Sequence, residues 1–297
     1  LTAPPADAAR IMEIIRQAQG CSAILIRSAK ITAEIMDAIP TLKVVAKHGM
    51  GVDNIAVDHA TEKGILVVNA PFSNLNAVAE HIVMLLLALS KRTVQMDQLT
   101  RAGQFKERNT YKTIELKGAT VGIIGMGKIS RLVVKKLSGF EMNILATDPY
   151  VKQADVEGLG ITMATPEELY AKSDFVIVHT SLFPSTFHLV GAEQFKAMKN
   201  TASIINAARG AVIDETAMIE ALKSGEIAGA GLDVFEQEPP APDNPLFKMD
   251  NVIVSPHNAA LSDGALRAMA MDSALGITEY LTGKSVSYPV NGEVLKK

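Results

Sequence analysis

The chain has a single cysteine, Cys21, and no tryptophan in 297 residues. One thiol excludes an internal disulfide and a cysteine-based zinc cluster. Cys21 lies in the apolar run CSAILIR, so it reads as a buried core thiol rather than a nucleophile. Long apolar runs are missing too. The longest, Ile82 to Leu89, is too short to span a bilayer. No basic-then-apolar signal segment opens the chain. Charge of one sign is also scarce. A net charge of −3 gives no reason to expect nucleic acid or an anionic membrane as partner. Low-complexity stretches, histidine or carboxylate clusters with metal-ligand spacing, and a nucleophile elbow with a Ser-His-Asp arrangement are all wanting. These absences fit a cytoplasmic protein that binds no metal.

What is present is apolar bulk: hydrophobic residues make up 48% and charged residues 21%, enough for a sizeable core. The length suits two domains of ordinary size. The start at Leu1 rather than methionine points to further residues upstream.

The organising stretch is Thr120 to Asp148, TVGIIGMGKISRLVVKKLSGFEMNILATD. Val121 to Ile124 reads as a buried parallel strand, and a helical pattern runs through Leu137. A second strand, Ile144 to Ala146, ends on Asp148. Strand, glycine turn, helix, strand and acid make a dinucleotide-binding unit. Gly125 permits the tight turn, and Gly127 leaves a pyrophosphate room against the backbone. The helix start, through Met126, Lys128 and Ile129, offers free N–H groups to phosphate oxygens. Asp148 suits an adenosine ribose and repels a 2′-phosphate, which favours NAD over NADP. The third glycine of the pattern is replaced by Ser130. A slightly looser helix–strand fit is expected, without loss of binding.

On either side the chain alternates strand and helix. Helix is expected over 5–18, with Ile11, Ile14, Ile15 and Ala18 on one face. The strands Ala23 to Ile26, Val44 to Ala46 and Ile65 to Val68 follow, with Thr32 as a helix cap. The opening strand of this domain is not found and is expected upstream of Leu1. Residues 71–76 read as a loop. A helix from Ala77 to about Lys91, apolar nearly all round, is expected to be buried between domains or subunits. Residues 93–117 are more polar and less regular, and read as a connector or dimer arm before the nucleotide unit. After Asp148 come a helix start at Thr165-Pro166 and the strands Phe175 to Val178, Ala202 to Ile205, Ile227 to Leu232 and Val252 to Val254. Asp214 and Ser262 cap helices, and the tail is expected to return to the N-terminal domain.

Ligands in parallel sheets bind beyond the carboxyl ends of the strands. Asp148, His179, Arg209, Asp233 and His257 all fall there. Arginine offers a donor fork matched to a carboxylate. Histidine exchanges protons near neutral pH. Glu238 beside His257 would hold one ring nitrogen and favour the imidazolium. With a nicotinamide close by, Arg209, Glu238 and His257 suit hydride transfer at a carbon next to a carboxylate. Each has a plainer alternative: Arg209 bonding loop carbonyls, Glu238 a solvated charge, His257 a structural histidine. His59 and His188 read as surface residues and His81 as structural. His179 reads as lining the nucleotide site, and His48 as facing substrate.

Several motifs, in order, give a specific resemblance: KHGMGVDNI (47–55), VAEH (78–81), GIIGMGKIS (122–130), NAARG (206–210), LDVFEQEP (232–239) and SPH (255–257). Over nearly its whole length the chain resembles the D-isomer-specific 2-hydroxyacid dehydrogenases, particularly the short phosphoglycerate-dehydrogenase-like members. The resemblance implies an α/β fold of two doubly wound parallel-sheet domains. A Rossmann NAD-binding domain over 77–261 would be inserted in a flavodoxin-like substrate domain of 1–76 and 262–297. It implies Arg209 as carboxylate and carbonyl binder, His257 as acid/base and Glu238 as its partner. Asp233 is implied near the nicotinamide carboxamide, Ala207 at the cofactor, and the backbone at Met50 and Gly51 on the substrate carboxylate. A homodimer on the nucleotide domain and its connector is implied as well.

The chain departs from the family at Ser130, at Phe72 after Pro71, and at Ser181 and Phe183 after His179. The last three bear on the substrate entrance and range. Glu238 argues against the formate dehydrogenase branch, and Asp148 against the NADP-preferring glyoxylate reductases. Lys47 sits where phosphoglycerate enzymes often carry arginine, so 3-phosphoglycerate is a candidate, with a lysine at the cleft rim as the plainer alternative. The expected reaction is hydride exchange between NAD and a D-2-hydroxyacid or 2-oxoacid in the cleft between domains. The rival is an NADH-sensing corepressor of the same fold, which the chain's lack of a basic stretch does not recommend.

Overall fold

The computed structural model describes Glu13 and residues 15–296. Most of the helix expected over 5–18, including Ile11 and Ile14, lies outside the described residues. The chain divides into two compact units: the residues up to Asn74 with those from Leu261 onward, and Leu75–Ala260.

The first unit holds three parallel strands in the order β1-β2-β3: Ala23–Ile26, Val44–Lys47 and Leu66–Val68. Val44, Val45, Ala46, Leu66 and Val67 are wholly buried, as strands covered on both faces require. The period of two divides them. Val45 and Val67 pack with Ile35, Met36 and Ala60 from the helices Ala33–Asp37 and Val57–Glu62. Val44, Ala46, Leu66 and Val68 pack with Ile277 and Tyr280 of the helix Asp263–Leu281. Gly276 permits this approach, because a Cβ there would lie 3.0 Å from Val68. The tail closes on the same unit through an antiparallel bridge between Val68 and Pro289.

The second unit is a seven-stranded parallel sheet in the order β10-β9-β8-β7-β4-β5-β6. Its strands are β4 Thr120–Ile124, β5 Asn143–Thr147, β6 Ile161–Met163, β7 Phe175–Val178, β8 Ser203–Asn206, β9 Gly229–Leu232 and β10 Val252–Val254. From β4 the chain builds outward through β5 and β6, then returns to β7 on the other side of β4. The strand order therefore reverses between β4 and β7, which opens a crevice at their carboxyl ends. Val121, Ile123, Phe175 and Ile177 face one core, and Ile124, Val176 and Val178 the other.

Local signals fixed three of the α-helix starts. Thr165 accepts from Glu168 N in a capping box, Asp214 from Ala217 N, and Ser262 from Ala265 N. Thr32 stands at an N-cap without a side-chain cap bond. Three expectations need correction. The helix over Leu75–Lys91 starts inside the expected loop; within this chain it buries one face (Val78, Ile82, Leu85, Leu86, Leu89), and Met84 is 44% exposed. The connector is regular in part: Thr93–Arg101 is helical, with Gln95 as its buried residue. Cys21 is only half-buried, at the edge of the first unit's core. The short strand β6 and the helix Ala192–Ala197 were not anticipated.

Candidate functional site

The glycine turn sits at the switch point. Gly125 adopts φ +90°, and a Cβ there would lie 2.5 Å from the His179 carbonyl oxygen. Only glycine lets the ends of β4 and β7 meet this closely. Gly127, the N-cap of the helix Lys128–Leu137, differs: a Cβ there would meet nothing within 4 Å. That open space lies at a helix N-terminus, where N–H groups and the helix dipole attract phosphate.

Asp148 follows β5. Its Oδ2 accepts from Met126 N at 2.8 Å and its Oδ1 from Tyr150 N at 2.8 Å. The acid thus holds the turn in shape, and each oxygen keeps a second lone pair for a ribose hydroxyl. Met126 N–H is committed to Asp148 and its side chain is buried, so it acts on the turn. Ile129 is buried in the core beneath the turn. Ser130 is wholly buried, and its hydroxyl donates to Gly125 O at 2.6 Å. Instead of a looser fit, the serine cross-links the turn to the helix. His179 Nδ1 is buried and lacks a hydrogen-bond partner. Burial, aided by the Arg209 charge, lowers the His179 pKa to about 4, so the ring is neutral at physiological pH. An open glycine, a helix start, an acid after β5 and an unpartnered buried nitrogen together fit a dinucleotide.

A histidine and a carboxylate pair up on the other half of the same sheet. His257 Nδ1 lies 2.7 Å from Glu238 Oε2. Burial pushes the Glu238 carboxyl up. The His257 hydrogen bond and charge, the Phe235 N–H and the Arg209 guanidinium outweigh it, holding the carboxyl below its usual range. An apolar cavity of about 350 Å³, lined by Phe235, Pro239, Pro240, Phe247 and Val254, adjoins this pair. His257 has φ +50°, a conformation that most side chains avoid.

Two arrangements hold these groups. Asn206, at the end of β8, accepts from Ala208 N and donates to Arg209 O, closing an Asx turn around NAARG. Ala207 lies buried within that turn, and Arg209 Nη1 donates to Ala208 O. Next to it, a Cβ on Gly210 would lie 1.9 Å from the Phe235 backbone, so the Arg209 loop abuts the loop leading to Glu238. The second arrangement centres on Asp233, which is wholly buried. Its Oδ1 accepts from Ser255 Oγ at 2.6 Å and Asn258 N at 2.9 Å, and its Oδ2 from Ala259 N at 2.9 Å. His81 Nε2 lies 2.9 Å from Ser255 Oγ. Asp233 and Ser255 therefore bracket His257.

Asn206 and Ser255 carried no role in the sequence reading. An asparagine just after a strand and before a glycine-bounded turn was the available signal for Asn206. His81 is structural as expected. His188 is more than a surface residue: it stacks on Phe187 and bonds Glu236 at 2.9 Å. His59 pairs with Asp37 at 3.0 Å.

The remaining candidates belong to the first unit. Lys47 Nζ donates to the Arg27 carbonyl and to Asn54 Oδ1. His48 Nε2 lies 3.2 Å from Leu266 O, and its Nδ1 is buried without a partner. Met50 is 40% exposed in the glycine loop that continues to Gly51. Among the described residues, no group of three or more His, Cys, Asp or Glu side chains could hold a metal ion. No described helix is long and apolar enough to cross a membrane.

The second unit is a dinucleotide-binding Rossmann sheet with a histidine–carboxylate pair at its carboxyl edge. Residues 83–259 match the family model for the D-isomer specific 2-hydroxyacid dehydrogenase NAD binding domain. A D-3-phosphoglycerate dehydrogenase of Archaeoglobus fulgidus is 41% identical over 94% of this chain and 53% of its own length. A glyoxylate reductase of Thermofilum pendens is 42% identical over 96% of this chain and 85% of its own. The structure of a D-lactate dehydrogenase from Aquifex aeolicus, complexed with NAD and lactic acid, superposes with a TM-score of 0.84 at 28% identity. It covers 95% of this chain and 87% of that one. The chain belongs to the D-isomer-specific 2-hydroxyacid dehydrogenase family, and its cofactor is NAD. It spans about half the length of the phosphoglycerate dehydrogenases that it matches.

Proposed function

We propose that this protein interconverts a D-2-hydroxyacid and its 2-oxoacid with NAD. The observation that carries the reading is the 2.7 Å contact of His257 Nδ1 with an ionised Glu238, in the same unit as Arg209 and the dinucleotide turn. When bound, NAD accepts or supplies the hydride. Neutral His257 removes the hydroxyl proton through Nε2, the nitrogen that Glu238 does not occupy. In the reductive direction the imidazolium returns that proton to the carbonyl oxygen. Glu238 fixes the ring tautomer and balances the imidazolium charge. Arg209 pairs its fork of donors with the substrate carboxylate and polarises the carbonyl. In the first unit, the backbone at Met50 and Gly51, beside His48, is the part we assign to carboxylate binding.

D-3-phosphoglycerate is the substrate we put first, because relatives 41% identical carry that activity in their names. Glyoxylate, from the name of the Thermofilum pendens relative, is the competing acid. Lys47 is the residue we assign to a substrate phosphate, which must then compete with Asn54 for the ammonium. A homodimer built on the nucleotide unit, in the cytoplasm, belongs to the same proposal.

NADH oxidation with a panel of 2-oxoacids tests the reaction, and NAD reduction by 3-phosphoglycerate against glycerate tests the substrate. Turnover of the phosphorylated acid, weakened in Lys47→Ala, supports both. No turnover of any acid overturns the enzyme reading. Equal use of phosphorylated and plain acids overturns the assignment of Lys47.

A further inference from the structure

The glycine loop after β2 is tied down by its carbonyls. Gly49 O accepts from Ala70 N at 2.9 Å. Met50 O accepts from Asn69 Nδ2 at 2.8 Å. Both donors follow β3 directly, and Asn69 is itself anchored by its N–H on Tyr288 O at 3.3 Å. The Gly49–Met50 and Met50–Gly51 peptides are trans. In a trans peptide the N–H points opposite to the C=O. With the Gly49 and Met50 carbonyls drawn onto Ala70 and Asn69, the N–H groups of Met50 and Gly51 face away from that anchor. Gly49 reaches this shape at φ +138°. Two successive amides turned outward form a small anion-binding edge.

We infer that Asn69 is a positioning residue for substrate binding: its amide sets the Met50–Gly51 peptide so that two adjacent N–H groups receive the carboxylate. The inference rests on the carboxylate role proposed for this loop. The side chain touches neither cofactor nor reacting atoms. An aspartate at this position has the same shape but, when ionised, cannot donate to Met50 O. The two oxygens would repel, and the peptide would turn.

The test uses full-length, NADH-loaded protein and oxamate, a carboxylate that is not reduced. Amide resonances of Met50 and Gly51 should shift together and saturate as oxamate is added to the wild type. In Asn69→Asp both shifts should be lost at the same oxamate concentration. The KM for the 2-oxoacid should rise roughly tenfold or more, with kcat and the NADH Kd little changed. Amides that do not respond in the wild type overturn the inference. So do an unchanged KM in the variant, or equal falls in kcat and NADH affinity. If Asn69→Asp does not fold, Asn69→Ala and the wild-type titration carry the same decision. A wild type that reduces no 2-oxoacid defeats the proposed reaction, while the oxamate titration still decides the loop.

Discussion

His257 Nδ1 sits 2.7 Å from Glu238 Oε2, with a carboxyl group that is half-buried yet held ionised. This pairing leaves Nε2 as the nitrogen that can exchange a proton. His257→Ala should therefore lower kcat by about 10²- to 10⁴-fold, the usual range for a lost acid–base group, with little change in NADH affinity. Glu238→Gln keeps the shape and removes the charge; a loss of about tenfold or more in kcat is expected. Rapid-reaction kinetics beside NADH titration separates the two effects. The linkage sign follows from the depressed Glu238 pKa. Its contribution to stability is complete above the usual value of 4.5 and is lost as pH falls through the lower folded value. The pair should thus survive at mildly acidic pH.

Gly125 and Gly127 separate fold from binding. A Cβ at Gly125 collides with the His179 backbone at a positive φ, whereas one at Gly127 enters open space. Gly125→Ala should lower both Tm and NADH affinity, by roughly 1–3 kcal/mol of strain. Gly127→Ala should leave Tm in place and weaken NADH by about tenfold or more, because the methyl occupies the phosphate approach. Thermal melts paired with fluorescence titration of NADH check both.

The parallel sheets and the glycine turn were legible because apolar runs and glycines are local signals. The position of Arg209, Glu238 and His257 at strand ends was legible for the same reason. Their supports were not. Asp233 reads in sequence as one more acid after a strand, yet it is bonded to Ser255, Asn258 and Ala259 on another strand's loop. Such partners lie more than twenty positions away and follow only from the register of β9 on β10. Met84 shows the converse: an apolar helix pattern suggests burial all round, but this chain alone supplies partners for one face.

Ser130 replaces a glycine of the fingerprint, yet restoring the glycine should not help. The hydroxyl bonds Gly125 O in a buried site. Ser130→Ala should cost about 1 kcal/mol for the lost hydrogen bond. Ser130→Gly should cost about 1 kcal/mol more, for glycine inside a helix. Chemical denaturation measures both, and a more stable Ser130→Gly would show that the bond contributes nothing.

His179 gives a pH prediction of its own. Its folded pKa of about 4 lies below the ordinary histidine value of 6.5, through burial and then the Arg209 charge. Between those values the unfolded chain binds more protons than the folded one, so stability should fall as pH drops from about 6.5 towards 4. Melting curves across this window should flatten in His179→Gln. Activity near neutral pH should show no titration of this ring.

Asp233 carries the sharpest choice between two roles. The family resemblance sets it near the nicotinamide carboxamide; the geometry commits both its oxygens to the loop that bears His257. Asp233→Asn discriminates. An amide must turn its NH₂ towards a donor, either Ala259 N–H or the Asn258 and Ser255 pair. A buried donor is then left facing a donor, at about 1–3 kcal/mol. As a loop anchor, Asp233→Asn should lower Tm and kcat together while the NADH Kd stays within about twofold, well under the tenfold that 1.4 kcal/mol represents. As a cofactor ligand, it should in addition weaken NADH binding about tenfold or more. Ser255→Ala supplies the control, since it removes one bond to Asp233 Oδ1 and loosens the same loop while leaving the carboxylate in place. If Asp233→Asn and Ser255→Ala both slow the proton-transfer step and spare NADH binding, the carboxylate works by holding the strained His257 backbone at φ +50°.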